Sequence, residues 1–229
     1  MLVAIHQPNY FPWLGYFYKI WAADAFVFLD NVQFTKNGYI NRSQIQNGEK
    51  NRWLTVPVSV HLGDPISRVM PANDSWRRNH IDLLCNSYRE ATHFGTMMPF
   101  VEEVLLSAPT ESLAEINRHT ILRITDLLEI DRYSVRSSEV DVDFTGPTDR
   151  LIKLTQSISA EAVYLSGKGG ANYQDEELYQ AAGIGFEYAS FSHPTYDQGT
   201  PGFVPGRSIL DALFHVGLEG TRTYFPVEC

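Results

Sequence analysis

Two short apolar runs flank one helical run at the start of the chain, and this order strongly restricts the fold. Residues 2–6 (LVAIH) and 26–30 (FVFLD) are predicted strands, and residues 13–22 (WLGYFYKIWA) are a predicted helix between them. A helix between two strands is the usual connection of a parallel pair, whereas an antiparallel pair needs only a tight turn. The sequence therefore predicts the opening of a doubly wound α/β sheet.

The same alternation returns in the second half of the chain. Strands are predicted at 133–138, 162–166 and 185–189, with helices at 147–159, 174–182 and 208–216. Between the two halves, residues 39–60 read as two strands around Asn47-Gly48, and helices are predicted near 75–91, 97–106 and 111–128. We predict one α/β domain over residues 1–229, with a mostly parallel, doubly wound sheet, a helical middle segment around 75–128 and an inserted β-hairpin around 39–60.

Charge and composition restrict the classes of partner. The formal net charge is −9, which argues against general binding to nucleic acid or to anionic membranes. No apolar run is long enough to span a membrane, and the N-terminal residues lack the pattern of a signal peptide. With only two cysteines, Cys85 and Cys229, a disulfide framework is not predicted, so we expect a cytoplasmic protein. The oligomeric state stays open, a homo-oligomer included.

The first 42 residues contain more polar side chains than a core segment needs, and a few placed polar groups on an apolar wall are typical of a ligand site. His6 and Asp30 each end a predicted strand, and ligands of such sheets bind beyond the carboxyl ends of the strands. We predict that both lie at one crevice as acid or base. His193, in a long loop before the final helix, is the third catalytic candidate.

Further residues are predicted to contact substrate because of their chemistry. Tyr10 and Trp13 can stack on a ring or build the core, and Lys36 and Arg42 can bind phosphate or carboxylate or remain solvated loop charges. The remaining candidates from these segments carry hydrogen-bonding side chains: Gln7, Asn9, Gln33, Asn41 and Tyr196.

A glycine-rich segment follows the strand predicted at 162–166 and precedes a helix. Its backbone N–H groups can hold an anion at the helix N-terminus, and a tight turn is the alternative. It lacks the spacing of a P-loop or of a dinucleotide-binding loop. The candidate residues here are Ser166, Gly167, Gly169, Gly170 and Tyr173.

The sequence gives little support to metal or thiol chemistry. The seven histidines are scattered without the spacing of metal ligands, so no metal site and no cofactor are predicted. Neither cysteine lies in a segment that resembles a site, which argues against a cysteine nucleophile.

Several segments together resemble the WbqC-like proteins of bacterial O-antigen and other surface-polysaccharide gene clusters. They are IHQPNYFPWLGYFYKI, ADAFVFLDNVQFTKNGYINRSQI, VYLSGKGGANY, the SHPTYDQ loop and SILDALFHVG. The resemblance implies modification of a nucleotide-linked amino sugar. Amide formation is a common step there, with a thioester on an acyl carrier protein or coenzyme A as donor. We therefore expect an acyl or aminoacyl transferase that uses the donor as a co-substrate.

Two alternatives stay open. Phe11-Pro12 and Gly15-Tyr16 resemble the FxPxxxGH loop of nucleotidyltransferases, but Tyr16 replaces the histidine that would stabilise the leaving phosphate. The other alternative is a module that binds the sugar or the carrier protein without turnover.

Overall fold

The computed structural model describes residues 1–167 and 175–226. Within them the strands are β1 (Leu2–His6), β2 (Ala25–Phe28), β3 (Arg42–Asn47), β4 (Lys50–Thr55), β5 (Val58–Ser59), β6 (Met70–Pro71), β7 (Tyr133–Arg136), β8 (Val163–Ser166) and β9 (Gly185–Tyr188). The α-helices are α1 (Leu14–Ala22), α2 (Trp76–Tyr88), α3 (Phe94–Leu106), α4 (Leu113–Leu127), α5 (Pro147–Ile158), α6 (Glu176–Ala181), α7 (Ile209–His215) and α8 (Gly217–Arg222).

Five strands form a central sheet in the order β7-β2-β1-β8-β9, and every pairing in it is parallel. The chain builds outward from β1 to β2 and β7 on one side, and then crosses through α5 to β8 and β9 on the other. This is the order of a doubly wound sheet, in which the direction of winding reverses between β1 and β8. The predicted fold class is confirmed.

Both faces of the sheet are covered, which explains why β1 and β2 are continuous apolar runs instead of alternating ones. Val3 and Ile5 pack with Ile152 and Leu154 of α5 on one face. Ala4 and Phe26 point to the other face and pack with Phe17 of α1 in the larger core. Side chains of a strand alternate between faces, so each strand contributes to both cores.

All of the inserted structure lies in one long connection between β2 and its sheet neighbour β7. It contains the hairpin of β3 and β4, the short pair of β5 and β6, and helices α2 to α4. Asn117 of α4 fastens this layer to the start of the chain, because its Nδ2 donates to the carbonyls of Pro8 (2.8 Å) and Ile40 (2.6 Å). The predicted hairpin and helical middle segment are therefore present, while β5, β6 and α8 were not predicted.

The long loop after β9 leads to α7, which is buried along most of its length. Leu210, Leu213 and Phe214 are fully buried in the larger core. In the part of the chain that the structure describes, no helix is both long and apolar enough to cross a membrane. Our prediction of a single domain over the whole chain stays a prediction.

Candidate active site

The candidate site lies beyond the carboxyl ends of β1 and β8, where the winding of the sheet reverses. Ligands of doubly wound sheets bind at such a position, because the loops from the two strands diverge there and leave a crevice. His6 is the last residue of β1 and Gln7 follows it, while Ser166 is the last residue of β8 and Gly167 follows it. The predicted Gly169, Gly170 and Tyr173 lie outside the described residues.

A hydrogen bond from one ring nitrogen fixes the orientation of the His6 side chain. Its Nδ1 lies 3.0 Å from the carbonyl of Gln7, and since a carbonyl only accepts, Nδ1 carries the proton. The Tyr16 hydroxyl donates to the same carbonyl at 3.0 Å. Nε2 of His6 has no hydrogen-bond partner within residues 1–167 and 175–226, so its lone pair is available to a ligand.

Aromatic rings and a nearby cation keep His6 neutral. The ring lies edge-on to Tyr16, with centroids 4.8 Å apart, and to Trp13 at 6.1 Å. Burial, assisted by the positive charge of Lys19, lowers the pKa of His6 to about 4. At neutral pH the imidazole is therefore unprotonated at Nε2.

Lys19 of α1 is a site residue that the sequence reasoning missed. It is buried, and its Nζ donates to the Ile5 carbonyl at 2.8 Å. The paired residues of β1 and β8 end at Ala4 and Leu165, so this amine lies where the two strands separate. Burial lowers its pKa to about 7, because the charged form is poorly solvated there. A signal existed, since Lys19 falls on the helical face shared by the buried Tyr16 and Ile20.

Asp30 is buried, and hydrogen bonds occupy both of its carboxylate oxygens. Oδ1 accepts from the Ser137 hydroxyl (3.0 Å) and the Ser138 amide (2.9 Å), and Oδ2 accepts from the Ser138 hydroxyl (2.7 Å). These partners follow β7, on the side of β2 away from β1. Asp30 thus joins β2 to the end of β7, and we do not retain it as a base.

The other histidine candidate also has partners on both nitrogens. Nδ1 of His193 lies 3.0 Å from the Pro194 carbonyl, and Nε2 accepts from the Gly206 amide at 3.2 Å. This arrangement closes the loop between residues 193 and 206, so His193 has a structural task. Its predicted neighbour Tyr196 donates its hydroxyl to Asp211 at 2.9 Å.

Of the aromatic candidates, Tyr10 lies in the core and Trp13 lies at the crevice. Tyr10 is fully buried, and its hydroxyl is 2.8 Å from Nδ1 of His80. Asn9 is also buried. Gln33 is exposed and pairs through its backbone with Pro65. Tyr10 and Gln33 have these structural partners instead, so we leave both out of the proposed reaction.

A row of aromatic rings leads from His6 to the inserted hairpin. Trp13 lies 5.4 Å from Tyr39, and Tyr39 lies 5.7 Å from Trp53 of β4, measured between ring centroids. The guanidinium of Arg42 is 4.1 Å from the centroid of the Trp53 ring. We call Trp13, Tyr39 and Trp53 the aromatic row.

The structure brings three predicted ligand contacts, Lys36, Asn41 and Arg42, into one pocket of about 420 Å³. Asn41 and Arg42 are held in place by the backbone, since Nδ2 of Asn41 donates to the Val56 carbonyl at 2.9 Å. Nε and Nη2 of Arg42 donate to the carbonyls of Gly38 (3.2 Å) and Asn37 (2.6 Å). We call this cavity the basic pocket.

A buried ion pair behind the hairpin was also missed by the sequence reasoning. Arg207 and Asp211 are fully buried, with Nη1 and Oδ1 3.4 Å apart. Ser208 is the N-cap of α7, since its hydroxyl accepts from the Leu210 amide, and the Asp211 carboxylate accepts hydrogen bonds from Tyr88, Tyr196 and Gln198. Nε of Arg207 donates to Asn51 of β4 at 2.9 Å. The pair joins the hairpin to α2 and α7, and the four-residue spacing of Arg207 and Asp211 was its one sequence signal.

Among the described residues, no group of three or more histidines, cysteines, aspartates or glutamates is placed to hold a metal ion. The sheet order and the polar strand ends define a doubly wound α/β protein with a candidate site at the reversal point.

The chain belongs to the WbqC-like protein family, whose model matches residues 7–223. It is 32% identical over 220 residues to the "Uncharacterized protein Rv1507c" of Mycobacterium tuberculosis (strain ATCC 25618 / H37Rv), an alignment that covers 95% of this chain and 94% of that protein. The resemblance seen in the sequence is therefore confirmed over nearly the whole chain. The family description and the relative's name specify neither a reaction nor a substrate.

Proposed function

We propose that this protein is a transferase that moves an acyl or aminoacyl group from a thioester to the amine of a nucleotide-linked amino sugar. The observation that carries the proposal is the state of His6 at the reversal point of the sheet. Its Nδ1–H is fixed on the Gln7 carbonyl, and its Nε2 is open among the described residues. A positioned neutral imidazole of this kind can accept a proton during amide formation.

The proposed step forms one bond and breaks one. The sugar amine attacks the thioester carbonyl carbon, an N–C bond forms, and the C–S bond breaks to release a thiol. The nitrogen becomes strongly acidic once it is bonded to the carbonyl carbon, so a weak base such as His6 can accept its proton. His6 then returns this proton to the leaving thiolate. The reaction needs no cysteine nucleophile and no redox cofactor.

Other residues assist by position. The charge of Lys19 lowers the pKa of His6, which keeps Nε2 unprotonated before the amine arrives. The Trp13 ring lies 6.1 Å from the His6 ring, measured between centroids, and a sugar ring can pack on such an aromatic surface. We assign Gln7, Trp13, Ser166 and Gly167 to substrate contact at this end, with a nucleotide sugar and a thioester donor, on coenzyme A or an acyl carrier protein, as the two partners.

Nucleotidyl transfer at the same crevice is the weaker alternative. That reaction needs a group to stabilise the leaving phosphate, and Tyr16 stands at the corresponding place in the loop. Tyr16 is 2% exposed, and its hydroxyl already donates to the Gln7 carbonyl. This commitment favours acyl transfer over nucleotidyl transfer.

The test is mass spectrometry of the purified protein incubated with a panel of nucleotide-linked amino sugars and acyl-coenzyme A or charged carrier protein. The expected result is a mass gain on the sugar that requires the donor and is lost in His6→Gln. His61→Gln is the matched control, because the His61 side chain is 92% exposed. Pyrophosphate release from a nucleoside triphosphate and a sugar phosphate would instead establish nucleotidyl transfer. Binding of the sugar without either reaction would leave a binding module.

A further inference from the structure

The basic pocket has the size and polarity of a binding site for a small anion-bearing group. Its volume is about 420 Å³, within the usual range of ligand pockets. Its polar lining comes from Lys36, Asn37, Asn41, Arg42 and Thr55, and Phe34 and Val58 supply apolar walls. Within residues 1–167 and 175–226, no acidic side chain lines the pocket, although the chain as a whole carries a formal net charge of −9.

The two cations of the pocket differ in how they are held. Arg42 is fixed by two backbone carbonyls and by the face of Trp53, while its Nη1 has no hydrogen-bond partner among the described residues. Lys36 is exposed and makes no ion pair with any residue in the described ranges. A fixed guanidinium and an exposed ammonium that line one pocket can bind two neighbouring phosphates, the first with directed hydrogen bonds and the second as a point charge.

The aromatic row gives the pocket a direction. It connects Arg42, through Trp53, Tyr39 and Trp13, with the ring of His6. Tyr39 is 40% exposed, so a ligand that reaches from the pocket to His6 has an aromatic surface to lie on. A ligand that places a charged group in the pocket and a ring on the aromatic row fits this layout.

We infer that the basic pocket holds the diphosphate of a nucleoside diphosphate substrate, with Lys36 and Arg42 as its cations and the aromatic row along the rest of the molecule. The inference rests on the proposed function only in taking that substrate to be the nucleotide-linked sugar. Coenzyme A also carries a diphosphate, so the same chemistry has two sources that the experiment must separate.

The experiment measures binding by titration calorimetry with uridine diphosphate, thymidine diphosphate, coenzyme A and inorganic pyrophosphate as probes. We expect Lys36→Gln to weaken nucleoside diphosphate binding about tenfold, the usual effect of one charged hydrogen bond. Lys50→Gln is the matched control, since Lys50 is an exposed lysine at the start of β4 that does not line the pocket. Arg42→Lys keeps the charge but loses the directed geometry, so it too should weaken binding.

Binding and turnover of these variants test the pocket and the proposed function separately. Equal affinities for Lys36→Gln, Lys50→Gln and the unaltered protein would overturn the inference. A loss confined to coenzyme A would give the pocket to the donor and overturn its assignment to the sugar nucleotide. Since binding needs no turnover, a Lys36-dependent affinity without acyl transfer would keep the pocket and reject the proposed function. Acyl transfer by Lys36→Gln with an unchanged KM for the nucleotide-linked sugar would support the proposed function and overturn the inference about the pocket.

Discussion

Strands β1 and β2 are neighbours in the sheet, and an ionisable side chain follows the apolar run of each, yet the two ends differ in how their polar atoms are used. Asp30, beyond β2, accepts three hydrogen bonds from the two serines that follow β7. His6, at the end of β1, commits Nδ1 to the Gln7 carbonyl and leaves Nε2 open among the described residues. The buried carboxylate of Asp30 therefore connects two strands through its hydrogen bonds. The ring of His6, with a fixed orientation and one nitrogen without a partner, is available to a ligand.

This difference separates two kinds of polar residue that look alike in a sequence. Burying a polar group costs free energy unless a partner compensates it, so a side chain whose partners lie within the fold needs no ligand to explain it. Asp30, Tyr10 and His193 belong to that kind. Among the described residues, His6 and Arg42 each keep one polar atom without a hydrogen-bond partner, and the Lys36 ammonium is exposed to solvent.

The largest expected effect is on turnover at the end of β1. His6→Gln should reduce amide formation by about 10²- to 10⁴-fold, because the proton acceptor is lost while the side chain stays polar. The measurement is the rate of sugar modification, with thermal unfolding recorded alongside. Full activity in His6→Gln would mean that His6, like Asp30, does not take part in the reaction.

At the end of β2 we expect the opposite outcome, a loss of stability. Asp30→Ala removes the acceptor of three hydrogen bonds from the two serines and should lower the free energy of unfolding by about 3 kcal/mol. Urea unfolding measures this, with Asp143→Ala as the control, since Asp143 is exposed and should change stability by less than about 0.5 kcal/mol. Equal losses in the two variants would mean that the hydrogen bonds of Asp30 do not contribute measurably to the free energy of unfolding.

A smaller effect is expected on stability at acid pH, and it comes from His80, which has hydrogen-bond partners on both ring nitrogens. Burial lowers the pKa of His80 to about 4, while its value in the unfolded chain is near 6.5. The unfolded state therefore binds a proton first, and stability falls as pH decreases from about 6.5 to 4, by up to about 3 kcal/mol from this group.

Comparing urea unfolding of the unaltered protein and of His80→Gln at pH 7 and pH 4 isolates this contribution. The variant starts less stable, because the bonds of His80 to Tyr10 and to the Thr55 carbonyl are lost, but it should lose less on acidification. His61→Gln serves as the exposed control. Parallel losses in the variant and the unaltered protein would contradict the prediction.

The smallest expected effect is on the pKa of His6. Lys19→Met removes a positive charge that lowers the pKa of His6, so that pKa should rise. It should stay below 6.5, because burial is the larger cause. The Cε1–H signal of His6 in an NMR titration measures the shift, and Lys153→Met, at an exposed position on α5, is the control. An unchanged or lower pKa would mean that Lys19 is uncharged beside His6.

The sequence was sufficient for the sheet and for part of the site, for reasons that particular residues make clear. The apolar runs of β1 and β2 and the helix between them carry their own periodicity, so the parallel start was predictable. The grouping of Lys36, Asn41 and Arg42 in one pocket was also within reach, because the three lie close together along the chain.

What escaped the sequence depends on partners that lie far apart in the chain. The serines that satisfy Asp30 lie more than a hundred residues later, and the His80 that receives the Tyr10 hydroxyl lies 70 residues later. Local patterns carry no information about such partners, so these polar residues could not be separated from His6. Lys19 and the buried pair of Arg207 with Asp211 were missed for a related reason, since a lysine or an arginine is normally assigned to the surface.

The long connection between β2 and β7 has a consequence for how this family can diversify. It leaves and re-enters the sheet at neighbouring strands, and it carries the hairpin, the basic pocket and most of the aromatic row. The entropic cost of closing a connection grows only with the logarithm of its length, about 0.6 kcal/mol for each doubling. Evolution can therefore lengthen, shorten or exchange this segment, and with it the choice of ligand, while the strand that carries His6 keeps its neighbours.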